Sequence, residues 1–298
     1  MEDIPISNIS FVTLAADYLL IWDSKALTEF AHVFDKKNFK YLTSVIPKGE
    51  GPGEVARIGH IAVDEACRKL YVTDLAKYRV FEYCIDSLLA NPDYMPEAEI
   101  KMEQALFPWK YQFINDTLGI GVIIKPIGNA NFNQSAAGWN MKTGEVYPLK
   151  YERLDNVVEK RMLSVAVSTG HGLIAKTYHN YDLMTICTLD GDLKYNIYGA
   201  NWKRSEGSNR ITFYGDAAFC GDRIFALYLG GDAYSKERQE VFYPTMFHIF
   251  DLDGNYIKTL ETGYNITGFC YDKDNNRLIM AMNDDIQFGY LDLAGLVE

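Results

Sequence analysis

A segment near the start of this chain returns near its end. Residues 61–83 read IAVDEACRKLYVTDLAKYRVFEY, and residues 269–290 read FCYDKDNNRLIMAMNDDIQFGY. Ile61, Asp64, Leu70 and Val72 fall on Phe269, Asp272, Leu278 and Met280 at an offset of 208. After one residue of slippage near Tyr78, Phe81 and Tyr83 align with Phe288 and Tyr290. Each copy reads as a strand, a polar turn, a second strand, a short loop and a third strand. Repetition of this kind implies stacked units, none of which buries its apolar face alone.

A second pattern lies between and around the copies, a strand that runs through a tight polar turn into another strand. It occurs at residues 32–42 (HVFDKKNFKYL), 138–149 (GWNMKTGEVYPL), 186–197 (ICTLDGDLKYNI) and 248–260 (HIFDLDGNYIKTL). The pairs Asp190-Gly191 and Asp253-Gly254 predict two-residue hairpin turns, where Gly and Asp tolerate positive φ. Three further units, near residues 109–150, 163–198 and 211–260, separate the two copies, so the offset of 208 is four steps of 52 residues. The 298 residues then hold about 5.7 units, each near the ~40–50 residues of a propeller blade. The expected fold is all-β, a six-bladed propeller of four-stranded antiparallel blades, with residues 1–298 as one domain. The last unit starts at Thr262 with only three strands, and residues 3–7 are expected to add the fourth and close the ring.

Composition agrees. There are 21 Tyr and 16 Phe against 9 Pro, and aromatic side chains suit a half-buried pleated surface. The net charge of −11, with no basic patch, argues against nucleic acid as a partner. No apolar run approaches the ~18 residues that span a bilayer, so no transmembrane segment is expected. The opening Met1-Glu2-Asp3 shows no secretory signal. Five widely spaced cysteines, Cys67, Cys84, Cys187, Cys220 and Cys270, read as free thiols rather than a disulfide framework or metal knuckle.

Residues 49–81 carry a family resemblance. Gly49, Gly51, Pro52 and Gly53 form a G-x-G-P-G turn; Ala62-Val63-Asp64, Leu70-Tyr71-Val72-Thr73-Asp74 and Arg79-Val80-Phe81 follow as three strands. The segment resembles an NHL repeat, and the chain is similar to the TolB-like and NHL-like six-bladed propellers of Bacteroidetes. That resemblance implies an exported, periplasmic or surface protein if a signal has been removed. Gly59 stands near the place where the family carries a proline before the inner strand.

Motifs for chemistry are absent. The chain has no G-x-S-x-G, and Glu54 stands where a dinucleotide or phosphate loop needs other residues. The stretch from Asp272 places Arg277 and Asn283 where a calcium loop needs Gly and Glu. His32, His60, His171, His179 and His248 have no metal-ligand spacing. The sequence therefore implies no cofactor, no metal and no catalytic residue.

Because strands alternate direction in a blade, the loops leading into the inner strands share one face with the loops between second and third strands. Residues 49–57, 74–79, 124–135, 176–181 and 230–243 collect there, and loop-rich rims are where binding residues concentrate. The candidate ligand-binding set is Asp74, Lys77, Tyr78, Arg79, Tyr178, His179, Tyr181, Tyr234 and Arg238, with Arg57 and His60 at the start of an inner strand. Aromatic platforms beside hydrogen-bonding groups suit a protein, peptide or glycan partner. The expected function is a non-catalytic binding module. The alternative is a propeller hydrolase or lyase with a metal or a His/Tyr/Arg set at the channel.

Overall fold

Short apolar segments closed by Asp, Asn and Gly turns make antiparallel meanders the local solution for this chain. The computed structural model describes residues 4, 6–7, 10–91, 93–128, 131–151, 162–202, 211–237 and 239–296. They form six large sheets. Blade one holds β1 (Ser10–Ala15), β2 (Tyr18–Asp23), β3 (Glu29–Asp35) and β4 (Tyr41–Pro47). Blade two holds β5 (Ile58–Asp64), β6 (Lys69–Asp74), β7 (Arg79–Cys84) and β8 (Ala98–Lys101), with the short helix α1 (Ile85–Ala90) before β8. Blade three is β9 (Phe107–Phe113), β10 (Leu118–Gly128), β11 (Asn131–Asn140) and β12 (Val146–Pro148). Blade four is β13 (Leu163–Ser168), β14 (Leu173–Tyr178), β15 (Leu183–Thr188) and β16 (Leu193–Tyr198).

Blade five begins with β17 (Ile211–Cys220) and β18 (Arg223–Asp232). A small hairpin, β19 (Tyr234–Ser235) and β20 (Glu240–Val241), is inserted before β21 (Met246–Asp251) and β22 (Tyr256–Glu261) complete the blade. Blade six has three strands among the described residues, β23 (Ile266–Asp272), β24 (Arg277–Met282) and β25 (Phe288–Asp292). The first strands of successive blades touch in turn, and β23 returns to β1, which closes a six-bladed β-propeller.

Apolar clusters fill the seams between blades. Trp22, Phe30 and Leu20 of blade one pack with Ile61, Val72 and Phe81 of blade two, and Phe225 and Phe247 of blade five pack with Leu278 and Met280 of blade six. Each fully buried side chain of this size contributes about 1.5–3 kcal/mol. The aromatic surplus thus goes largely into seams, as with the fully buried Trp139, Tyr83 and Tyr214.

The N-terminal segment crosses the last seam. Ile4 and Ile6 lie against Ile279 and Ala281 of blade six and Val12 and Leu19 of blade one. The Gln287 amide donates to the Ile6 carbonyl at 3.4 Å, and Ser7 donates through its backbone N–H and its hydroxyl to Asp23, at 2.8 and 2.6 Å. Of the expected closing strand, Asp3 and Pro5 lie outside the described residues. On the same seam Arg277 donates to Asp272 at 3.0 Å and to the Lys36 carbonyl at 2.6 Å. Its guanidinium sits over the Phe39 and Tyr290 rings, 4.5 and 5.1 Å from their centres, a cation–π contact on both.

Two details depart from the sequence reading. Phe81 pairs with Val72 and Gly289 pairs with Met280, so the offset of 208 holds through the third strand and the slippage near Tyr78 is apparent only. The connection from second to third strand has the same length in both copies, with Val72 to Phe81 matching Met280 to Gly289. The Asp-Gly turns are also longer than two residues. Only the glycines, Gly191 and Gly254, take positive φ, +83° and +80°, and each hairpin carries a bulge behind its turn, between Ile186 and Cys187 and between Ile249 and Phe250. One left-handed glycine plus a bulge gives the same right-handed twist as a two-residue turn.

Candidate functional site

Six inner strands set around an axis leave a channel. The cavity there holds about 610 Å³ and is lined from all six blades, a size typical of small-molecule sites. Strand alternation alone would send successive side chains of an inner strand to opposite faces of its blade. Bulges change that parity. Inner-strand pairing is interrupted between Ile58 and Ile61 in β5, opposite the Val122–Ile123 step in β9, between Tyr214 and Ala217 in β17, and between Ile266 and Gly268 in β23. His60, Lys110 and Asp216 lie at these irregularities and line the cavity. Bulges beside a site commonly serve to re-aim a side chain.

Close strand approach holds Lys110 in place. Gly121 of β10 faces β9, and a Cβ there would meet the Lys110 carbonyl oxygen at 2.0 Å, so only glycine fits.

Lys110 Nζ reaches Asp216 Oδ1 at 3.3 Å and Oδ2 at 3.1 Å. The Ser164 hydroxyl donates to Asp216 Oδ1 at 2.7 Å and lies 2.9 Å from His179 Nε2. A hydroxyl has one proton, and Ser164 gives it to the carboxylate, so His179 Nε2 carries a hydrogen and donates to Ser164 Oγ. On the other side His60 Nε2 lies 3.2 Å from the Tyr111 carbonyl and donates to it, which leaves His60 Nδ1 as a buried acceptor with no protein partner.

Electrostatics follow from this geometry. Burial alone would raise the Asp216 carboxyl, but Lys110, the Ser164 hydrogen bond and His179 outweigh it and hold the group at about 2. Burial, with Lys110 adding to it, lowers His60 to about 4, and burial likewise lowers His179 to about 4. At neutral pH the cluster is therefore one contact ion pair with two neutral imidazoles. Protein surrounds the pair, yet about a third of each side chain, 33% of Lys110 and 31% of Asp216, faces the channel, so water screens it more than its depth suggests.

The residues singled out in the sequence divide into three groups. Of these, His60 and His179 enter the channel cluster. Asp74 is fully buried and accepts from the backbone N–H groups of Ala56, Arg57, Ala76 and Lys77, so it clamps the loop. Lys77 donates to the carbonyls of Gly51 and Glu54, at 3.0 and 2.7 Å. The glycine turn is held in the same way, with Gly53 at φ +73° and Glu54 accepting from the Gly51 N–H at 2.7 Å. Tyr78 packs edge-on against Phe107, Arg79 pairs with Glu99, and Tyr178 is fully buried in the seam of blades three and four. Tyr181 packs against the same seam beside Trp202. The first half of the expected loop at residues 176–181, as far as Tyr178, is thus the end of strand β14. Arg57 and Tyr234 remain exposed at the rim, and Arg238 lies outside the described residues.

Sequence reasoning missed Lys110, Ser164 and Asp216. The available signal was a charged residue inside an aromatic inner strand, FPWKYQF for Lys110 and ITFYGDAAFC for Asp216. Among the described residues no group of three His, Cys, Asp or Glu side chains is placed to hold a metal, and no helix is long and apolar enough to cross a membrane.

Fold and channel together define a six-bladed β-propeller with a polar cluster on its axis. A family model described as a 6-bladed beta-propeller, DUF5128, matches residues 1–105. Among solved structures the chain is similar to the Cps50 (Swd1) beta-propeller domain of Myceliophteria thermophila, with a TM-score of 0.57, 9% identity, and 97% of this chain and 98% of that one covered. It is similar also to a member of the DUF4221 family from Bacteroides vulgatus, with a TM-score of 0.57, 10% identity, and 95% and 92% covered. At these identities the likeness concerns the fold alone. No curated protein matches the chain.

Proposed function

We propose that residues 1–298 form one non-catalytic propeller domain that binds a protein, peptide or glycan partner at its channel mouth and loop-bearing rim. The observation that carries this reading is the order of the hydrogen bonds in the channel. A nucleophilic serine needs an imidazole lone pair to take its proton. Here Ser164 gives its proton to a carboxylate held at about 2, too weak a base to keep it, while the imidazole donates. The cluster is built to hold still rather than to pass protons, which favours recognition over the hydrolase or lyase alternative. Kinship with the NHL-like and TolB-like propellers belongs to the same reading and is supported by the repeat at residues 49–81; export from the cell, if a signal has been removed, is what that kinship would imply.

The test is to screen labelled full chain on glycan and peptide arrays, then repeat with Arg57→Ala/Tyr234→Ala and with Lys110→Met, each verified as folded. Binding weakened by either set is the expected result. Binding to nothing, or binding that neither set alters, refutes the reading.

A further inference from the structure

The channel cluster has hydrogen-bonding capacity left over. The Lys110 ammonium has three donors, of which Asp216 takes two. The Asp216 carboxylate offers about four lone-pair positions and accepts three bonds, two from Lys110 and one from Ser164. A donor and an acceptor thus stand side by side with part of each facing the cavity. Beside them is an aromatic wall. Phe11 lies with its ring centre 5.7 Å from Lys110 Nζ and is backed by Trp22, stacked at 4.3 Å and 23°. Both rings line the cavity.

These features select among ligand classes. A carboxylate or phosphate would have to compete with Asp216 for Lys110, and an amine would have to compete with Lys110 for Asp216. With both imidazoles uncharged, the cluster of Lys110, Asp216, His60 and His179 carries no net charge to attract either, and Asp64, Glu65 and Asp116 elsewhere on the lining disfavour an anion further. A neutral ligand that both donates and accepts from adjacent atoms can use the pair without separating it, and an apolar ring face on the same ligand matches Phe11. Building on the binding reading above, we propose that the channel is a site for a neutral sugar ring, with vicinal hydroxyls on Lys110 and Asp216 and its apolar face on Phe11. The cavity of about 610 Å³ leaves room for a ligand of that class.

The experiment is titration of the full chain with glucose, galactose, maltose and cellobiose, followed by tryptophan fluorescence and calorimetry, with glucuronate and the blocked dipeptide N-acetyl-glycyl-glycinamide as comparators. The expected result is saturable binding of at least one neutral sugar and weaker binding of both comparators. Lys110→Met removes a charged donor and is expected to weaken the sugar by roughly tenfold or more. Asp216→Asn keeps the shape but frees the Lys110 charge, so preference is expected to move toward glucuronate. This second variant still decides the matter if Lys110→Met fails to fold. No neutral sugar bound, or sugar binding unchanged by Asp216→Asn, overturns the proposal. Binding of the dipeptide alone also overturns it, while leaving the wider binding-module reading standing; failure of that reading shows only in the array screen.

Discussion

Lys110 of blade three and Asp216 of blade five meet in the channel, Nζ to Oδ2 at 3.1 Å, although an entire blade lies between them in the ring. Ser164, on the inner strand of that intervening blade, bonds the same carboxylate at 2.7 Å. Three inner strands are thereby tied by one ion pair and one hydroxyl, independently of the apolar seams behind them.

Breaking this pair from one side leaves a charge deep in the molecule without its partner. Lys110→Met is expected to lower stability by about 1–3 kcal/mol, less than the 3–5 kcal/mol of a fully dry pair because channel water reaches both groups. Lys110→Met/Asp216→Asn should recover part of the loss. Urea unfolding of the four members of the cycle checks this, and strictly additive losses would show that the two residues are not coupled.

Deleting residues 1–8 should lower the melting temperature sharply. Ile4 and Ile6 leave the seam between the last and first blades, and Asp23 loses two donors from Ser7. Arg277→Lys should weaken the same seam, since lysine cannot bridge Asp272 and the Lys36 carbonyl while stacking on two rings. An unchanged melting temperature in the truncated chain would refute closure by this segment.

Tyr178→Ala and Tyr234→Ala separate core from rim. Tyr178 is fully buried and its truncation should cost about 3–5 kcal/mol. Tyr234 is 45% exposed, and its truncation should stay within about 0.5 kcal/mol. Calorimetric melts of both variants give the comparison directly. Equal losses would contradict the placement of either residue.

Acid should destabilise the protein in two stages. His60, His179 and His248 are each lowered to about 4, by burial first, against 6.5 when unfolded. Between those values the unfolded chain binds more protons, so stability falls as pH drops from 6.5 to 4, by up to about 1.4 kcal/mol per pH unit for each histidine and less where channel water screens it. Asp216, held at about 2 against 3.8, contributes stability that is lost only below 3.8. Melting temperature against pH measures both stages. His179→Gln should reduce the slope of the first stage, to which His60 and His248 still contribute, and shrink the second slightly because His179 helps to hold Asp216 low; an unchanged first slope would remove His179 as one of its sources.

Gly121→Ala should be costly out of proportion to its size. The added methyl meets the Lys110 carbonyl at 2.0 Å, and backbone cannot yield as a side chain end can. The expected outcome is a loss of about 1–3 kcal/mol by overpacking with displacement of Lys110, read by denaturant melts. Wild-type stability would show that β9 and β10 can separate freely.

Much of the architecture was legible because it is encoded over short distances. The four hairpins at residues 32–42, 138–149, 186–197 and 248–260 all prove to be the third and fourth strands of their blades, since a turn and two flanking strands are specified by a dozen neighbouring residues. The site was less legible. His60 was noticed at the start of an inner strand and His179 in a rim loop, each as a chemically capable residue. Tyr178, Asp74 and Lys77 were noticed for the same reason and turned out to be occupied by packing and loop clamps.

The sequence by itself determined the six units, their strand order and where their turns fall, because periodicity of two and Asp-Gly punctuation act locally. Tertiary structure alone decided the channel. Lys110, Ser164 and Asp216 come from three blades, and bulges at β9 and β17 shift the parity of the strands that carry two of them. Such a shift turns a side chain from seam to axis without leaving a mark in the hydrophobic pattern. Only closure of the ring then brings those residues within hydrogen-bonding distance.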